Sequence, residues 1–318
     1  MKRLTFTLAL IIPLLLCTSW GFFAHRRINQ LAIFTLPPEM LGFYKNAHQY
    51  LTEQAVGPDR RRYIDTLEAP RHYLDAESYE AHIDSIPEKF KDALAKYGQQ
   101  KLNENGIVPW QIQRSYYGLI KAFQLRDSIK ILKYSADLGH YIADAHVPLH
   151  TTANHNGQLT NQVGLHAFWE SRIPELFAQN YKLVTGKAHY INDPLKSAWT
   201  IVKHSHLLVD TVLKIEAELN AGFPSDQKYS FSEHNGTIVK QYAPAYAKAY
   251  QDRMQGMVEK QMRAAILAVG SFWYSAWVDA GQPTLKNLVK TMPSPEEKHV
   301  AELEMKKYKE GRIIGREY

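Results

Sequence analysis

The chain predicts an all-α fold, a single compact multi-helix domain, and three observations predict it. Segments 127–147 and 243–278 carry long stretches without proline and without the strict alternation of a strand. Few runs are rich enough in β-branched residues to argue for a sheet. No composition shift or linker divides the body of the chain, and 318 residues suffice for one large domain or two small ones.

Taken in order, the chain opens with Met1-Lys2-Arg3, an apolar run from Leu4 to Leu16, and then Cys17-Thr18-Ser19-Trp20. A basic start, a short apolar core and small residues before a break predict a secretory signal peptide over 1–19. The run is too short to span a bilayer comfortably. Cleavage after Ser19 would export a chain beginning at Trp20, to the periplasm or beyond the cell. Lipid anchoring at Cys17 is the rival route, but Leu16 stands where a lipoprotein signal wants a small residue. Cleavage removes the only cysteine, leaving neither a disulfide nor a thiolate metal site. Loss of Lys2 and Arg3 lowers the net charge from +6 to +4, a weak preference for anionic partners.

Residues 84–102 and 194–220 also predict helices, the first with Ser85 and Pro87 near its start. Gly, Pro and Asn gather at 103–109, 152–164 and 221–236, which read as loops. The domain therefore covers 20–283. Residues 284–318 are charged, lysine-rich and poor in large apolar groups, the composition of a solvated peripheral helix or tail.

Of the fourteen histidines, a few are spaced for chemistry. In Ser135 to His150, His140 and Asp144 stand four apart and share one helical face. Pro148 then ends the helix, and His150 follows it. His166 and Glu170 repeat the same histidine-to-acid interval. Without thiolates, zinc takes imidazole nitrogen and carboxylate oxygen. A single such pair is most often a surface ion pair. Two so close together, flanked by apolar helix positions and with a histidine between, predict a multinuclear metal site. His146 falls between the ligand positions and reads as a residue supporting the ligands from behind or as a helix-end residue.

Upstream, Gly57-Pro58-Asp59-Arg60-Arg61-Arg62 is followed by Ala69-Pro70-Arg71-His72-Tyr73-Leu74-Asp75, and the N-terminal piece is Trp20-Gly21-Phe22-Phe23-Ala24-His25. Together with the downstream pairs, these segments resemble the superfamily that joins bacterial zinc-dependent phospholipases C to the single-strand-specific zinc nucleases of fungi and plants. The resemblance runs from Trp20 to about Trp277. It implies an all-α domain around a cleft holding three Zn2+. Asp59, His72, His140 and Asp144 would hold the first. His150, His166 and Glu170 would hold the second. Trp20, through its free amine and carbonyl, would join His25 and a bridging Asp144 at the third. The resemblance also implies in-line hydrolysis of a phosphodiester, with Asp59 orienting the attacking water and Arg62 contacting phosphate. An amine ligates only once cleavage exposes it, so the ligand at Trp20 and the cleavage after Ser19 predict each other.

The substrate rests on finer features. The short interval from Trp20 to His25 is that of the nucleases. The nuclease-like His72-Tyr73-x-Asp75 sets a ring and a carboxylate where they can stack on a base and bond its edge. A core aromatic and a helix cap are the plainer readings of Tyr73 and Asp75. Phe23, Arg60 and Ala69 stand nearest to where choline-recognising phospholipases carry their acid and aromatics. Against the nucleases, Glu170 matches the phospholipases, and the disulfide cysteines of the fungal and plant enzymes are absent. The expectation is a zinc-dependent hydrolase of single-stranded nucleic acid or nucleotides, with no obligate protein partner evident. A phospholipase C acting on phospholipid headgroups is the first alternative, and a non-catalytic zinc-binding protein the second.

Overall fold

The structure, a computed structural model, describes residues 22–234, 237–289, 292–311 and 313–314. The predicted signal segment, Cys17 and Trp20 lie outside the described residues. Among these residues the chain is helical apart from one hairpin. The first half runs α1 (Phe22–Ala32), α2 (Pro38–Asn46), α3 (His48–Glu53), α4 (Gly57–Arg61), α5 (Ala76–Tyr79), α6 (Phe90–Asn105), α7 (Val108–Gln124) and α8 (Ser128–Ala145). After α9 (Leu165–Ala167), α10 (Ile173–Phe177), α11 (Pro194–His206) and α12 (Val209–Gly222) come strands β1 (Tyr229–His234) and β2 (Thr237–Tyr242). The chain closes with α13 (Pro244–Arg253), α14 (Met257–Asp279) and α15 (Pro295–Glu310).

The core forms where α7, α8 and α14 pack together and α1 lies across α8 and α14. Helix α7 buries Ile112, Ser115, Tyr116, Leu119, Ala122 and Phe123, the stripe expected of one helical face. It turns into α8 through Arg126, and Asp127 caps α8 by accepting bonds from the Ile129 and Lys130 backbone N–H groups at 3.2 Å each. From Leu138 to Ala145 every residue of α8 is buried. The side of that stretch turned from α7 meets α1, and Gly139 makes the approach possible. A Cβ there would lie 2.1 Å from Asn29 Oδ1. Asn29 instead comes close enough to donate to the Ala136 carbonyl at 3.2 Å. On the far side, Trp273 of α14 donates to the Ser135 carbonyl at 2.9 Å.

Several predicted boundaries shift for local reasons. The stretch 243–278 is two helices, separated at Gly256, whose φ of 77° is left-handed. The stretch 194–220 is likewise two, α11 and α12. The first predicted helix begins at Phe90 rather than near 84, and bends at Gly98, where φ is 75°. Residues 221–236, read as a loop, contain β1, which pairs antiparallel with β2 in the register Tyr229 to Tyr242. Tyr242 stacks on Phe168 at 3.9 Å, so the hairpin braces the segment carrying His166 and Glu170.

The charged tail is peripheral but attached. Helix α15 starts at a capping box formed by Ser294 and Glu297. Before it, the Ser128 N–H donates to the Val289 carbonyl at 2.9 Å. At its far end, Glu304 pairs with Arg60 at 3.3 Å, and the Ile314 N–H donates to the Arg62 carbonyl at 2.9 Å. Among the described residues, no helix is long and apolar enough to cross a membrane.

Candidate metal centre

Seven elements supply the centre. Helix α1 brings His25, α4 brings Asp59, and the 3₁₀ turn Ala69–His72 brings His72. Helix α8 brings His140 and Asp144 from consecutive turns of one face. The turn Pro148–Thr151 brings His150 immediately after Pro148 has ended the helical run. His166 belongs to α9, and Glu170 to the wide π-helical turn Phe168–Arg172 that follows it. These side chains form three groups able to hold a metal ion: His25, His140 and Asp144; Asp59, His72 and His140; and His150, His166 and Glu170.

The donor atoms converge. His140 Nε2 lies 3.0 Å from His72 Nδ1 and 3.1 Å from Asp144 Oδ2. Asp144 Oδ2 is 3.0 Å from His72 Nδ1. Asp59 Oδ1 stands 3.7 Å from His72 Nδ1 and 3.8 Å from His140 Nε2. The other Asp144 oxygen, Oδ1, faces His25 Nε2 at 3.4 Å, so one carboxylate serves both sides. His25 Nε2 also meets Glu170 Oε1 at 3.0 Å. In the last group His166 Nε2 approaches Glu170 Oε2 at 2.6 Å and His150 Nε2 at 3.0 Å.

Hydrogen bonding alone does not account for this packing. His140 Nδ1 donates to the Ala55 carbonyl at 2.8 Å, and His150 Nδ1 donates to the His72 carbonyl at 2.7 Å. A carbonyl only accepts, so in each neutral ring the proton sits on Nδ1 and Nε2 points a lone pair inward. Those lone pairs face other imidazole nitrogens at 3.0 Å. Asp144 Oδ2 has no hydrogen bond despite both its contacts. A tetrahedral ion with zinc-like bonds holds its ligand atoms roughly 3.3 Å apart, close to the spacings found. The donor set therefore fits metal ions.

The electrostatics agree. Burial pulls His25 down, but its bond to Glu170 and the charges of Asp144, Glu170 and Asp59 outweigh this and raise it to about 9. Burial pushes Asp144 and Glu170 up, and their histidine neighbours hold both well below the usual carboxylate range. The centre demands positive charge, from protons or from metal ions.

One supporting residue escapes the spacing argument. Glu68, fully buried, receives the Tyr141 hydroxyl and the guanidinium of Arg71, with Arg61 Nε at 3.3 Å. Its Oε1 stands 3.6 Å behind His72 Nε2, on the side away from the cluster. A carboxylate there favours a proton on Nε2 and strengthens the ligating nitrogen by its charge. Its signal was its place four residues before His72.

Solvent reaches the centre unevenly. Asp59 has a side chain 19 % exposed, whereas His72 and His140 are fully buried. Arg62 is buried beside it, Nη1 4.0 Å from Asp59 Oδ1. Tyr73 is also buried, its hydroxyl donating to the Glu104 carbonyl at 3.2 Å and its ring against Gly106, which is the placement of a core aromatic. Asp75 is buried at the start of α5, where its side chain makes no capping bond. His146 lies outside the three groups, donating from Nδ1 to the Ile142 carbonyl at 2.7 Å, and burial lowers it to about 4. Trp20, the remaining expected ligand, lies outside the described residues.

In comparisons with known proteins, no family model matches the chain and no curated protein matches its sequence.

Proposed function

We propose that the chain is a zinc-dependent phosphodiester hydrolase acting on single-stranded nucleic acid or nucleotides. The convergence of eight histidine and carboxylate side chains into three adjoining groups carries this reading. Its support from sequence is the resemblance to the zinc phospholipases C and nucleases, whose expected ligand positions are these same residues. Three zinc ions held here would polarise a phosphoryl oxygen and acidify water near neutral pH.

The protein's own groups do the rest. Asp144 faces two of the groups, one oxygen to each, and so fixes their separation. Asp59, the ligand open to solvent beside the buried His72 and His140, would orient the attacking water and accept its proton on the carboxylate oxygen turned away from the two histidines. Arg62 lies beside that carboxylate and offers a charge-assisted contact to phosphate. The fixed tautomers of His140 and His150 keep lone pairs, not protons, directed inward. After cleavage, the free amine of Trp20 would join His25 and Asp144, as the resemblance implies.

The test is a parallel assay of protein beginning at Trp20 on single-stranded DNA or RNA and on phosphatidylcholine, with and without a zinc chelator. Chelator-sensitive cleavage of nucleic acid is the expected result. Release of phosphocholine alone would replace the substrate and keep the zinc chemistry. Activity on neither would favour a non-catalytic zinc-binding protein.

A further inference from the structure

The C-terminal helix packs beside two of the helices that carry ligands. Tyr308 of α15 packs edge-on against Tyr63, with ring centroids 5.3 Å apart, and tilted against Phe22 at 6.1 Å. Tyr63 follows the helix that carries Asp59, and Phe22 begins the helix that carries His25. Arg26 lies over the Phe22 ring, its Cζ 5.7 Å from the centroid. Arg60 is tied to Glu304, one turn before Tyr308 on α15. Tyr308 is thus held between two ligand-bearing helices, at a rim of aromatic rings and guanidinium groups, and it remains partly exposed.

Helix α15 also packs on α4, the helix that carries Asp59, the solvent-open carboxylate of the centre. Rings interleaved with basic groups are what a single strand needs, since bases stack on the rings and phosphates meet the cations. Tyr73, the aromatic that the sequence offered for this task, is buried with its hydroxyl occupied.

We propose that Tyr308 is a specificity-determining residue, a ring on which a base of a single-stranded substrate stacks at the rim beside the ligand-bearing helices, with the exposed Arg26 attracting an adjoining phosphate. This rests on the nucleic-acid reading above. It gives the tail, otherwise a polar appendage, a place in substrate binding.

The test uses a labelled oligothymidylate carrying 5-bromodeoxyuridine, bound to zinc-loaded protein kept from cleaving by Asp59→Asn, and read by anisotropy and photocrosslinking. The crosslink is expected at Tyr308. Tyr308→Ala should weaken binding about tenfold, within the range for loss of one base–aromatic stack. Tyr308→Phe, which keeps the ring, should bind within about twofold of the parent. In zinc-loaded protein, Tyr308→Ala should raise KM for the oligonucleotide far more than it changes kcat, and more than it raises KM for methyl p-nitrophenyl phosphate, which carries no base. Oligonucleotide bound equally tightly by Tyr308→Ala would overturn the assignment while leaving the nuclease reading intact. Faster turnover by that variant would overturn it too, and would make the helix a cover. No binding of the oligonucleotide by the parent would end both this assignment and nucleic acid as the substrate.

Discussion

At the scale of single residues, the account turns on protons. His140 and His150 each commit Nδ1–H to a backbone carbonyl, which leaves the opposite nitrogen free for an ion. Glu68 stands behind His72 as a buried carboxylate, 3.6 Å from Nε2, an electrostatic partner rather than a hydrogen-bond acceptor. Glu68→Gln should therefore weaken zinc binding by about 10–100-fold, measured by competition with a chelator of known affinity; unchanged affinity would remove Glu68 from the supporting shell. Asp59→Asn should abolish most turnover while retaining most of the bound metal, compared by kcat and metal content on the same sample. A pH effect follows from His25. Its raised value, about 9 against 6.5 unfolded, contributes stability that is full below 6.5 and is lost as pH rises through 9. Chelator-treated protein should lose Tm across that window, and zinc-loaded protein should not, because the ion replaces the proton. Asp144 and Glu170 act oppositely, since their depressed values contribute stability that is lost as the solution is acidified.

Much of this was legible residue by residue. His140 with Asp144 and His166 with Glu170 are visible because an interval of four already implies a shared face. That His25, Asp59 and His72 join them is a long-range fact, suggested only by resemblance. The burial of Tyr73 was not legible, because its ring position depends on Gly106, more than thirty residues away, and on the Glu104 carbonyl. Glu68 looks like any surface acid until Arg61, Arg71 and Tyr141 surround it.

At the scale of elements, the decisive contact is α1 on α8. It sets His25 over His140, with ring centroids 4.2 Å apart, and depends on Gly139 leaving room for Asn29. Gly139→Ala should cost about 1–3 kcal/mol through overpacking, seen as a lower Tm, and should loosen metal binding at His25. A variant as stable as the parent would show that α1 yields without cost. Helix type was easier to read than helix breaks. Apolar periodicity runs on through Gly256 and Gly98, and only the left-handed backbone shows that the helices stop or bend there. The hairpin did carry a signal, Asn235-Gly236 between alternating segments. It was hidden because its exposed residues, such as Phe231 and Ile238, give no clean apolar face.

At the scale of the whole molecule, seven elements meet at one buried polar centre inside the helical core. Such a cluster of like-charged carboxylates and inward lone pairs is costly unless cations neutralise it. The all-α class follows from composition and periodicity, whereas the tail shows their limit. Residues 284–318 read as a solvated appendage because α15 is polar all round. Its attachments, at Val289, Glu304, Tyr308 and Ile314, are individual contacts that no periodicity encodes. The central claim is that the converging donors hold a cluster of zinc ions, and metal analysis of protein beginning at Trp20 tests it most directly. After dialysis against buffered zinc, close to three tightly held ions per chain are expected. A stable value of one, or none, would contradict the account.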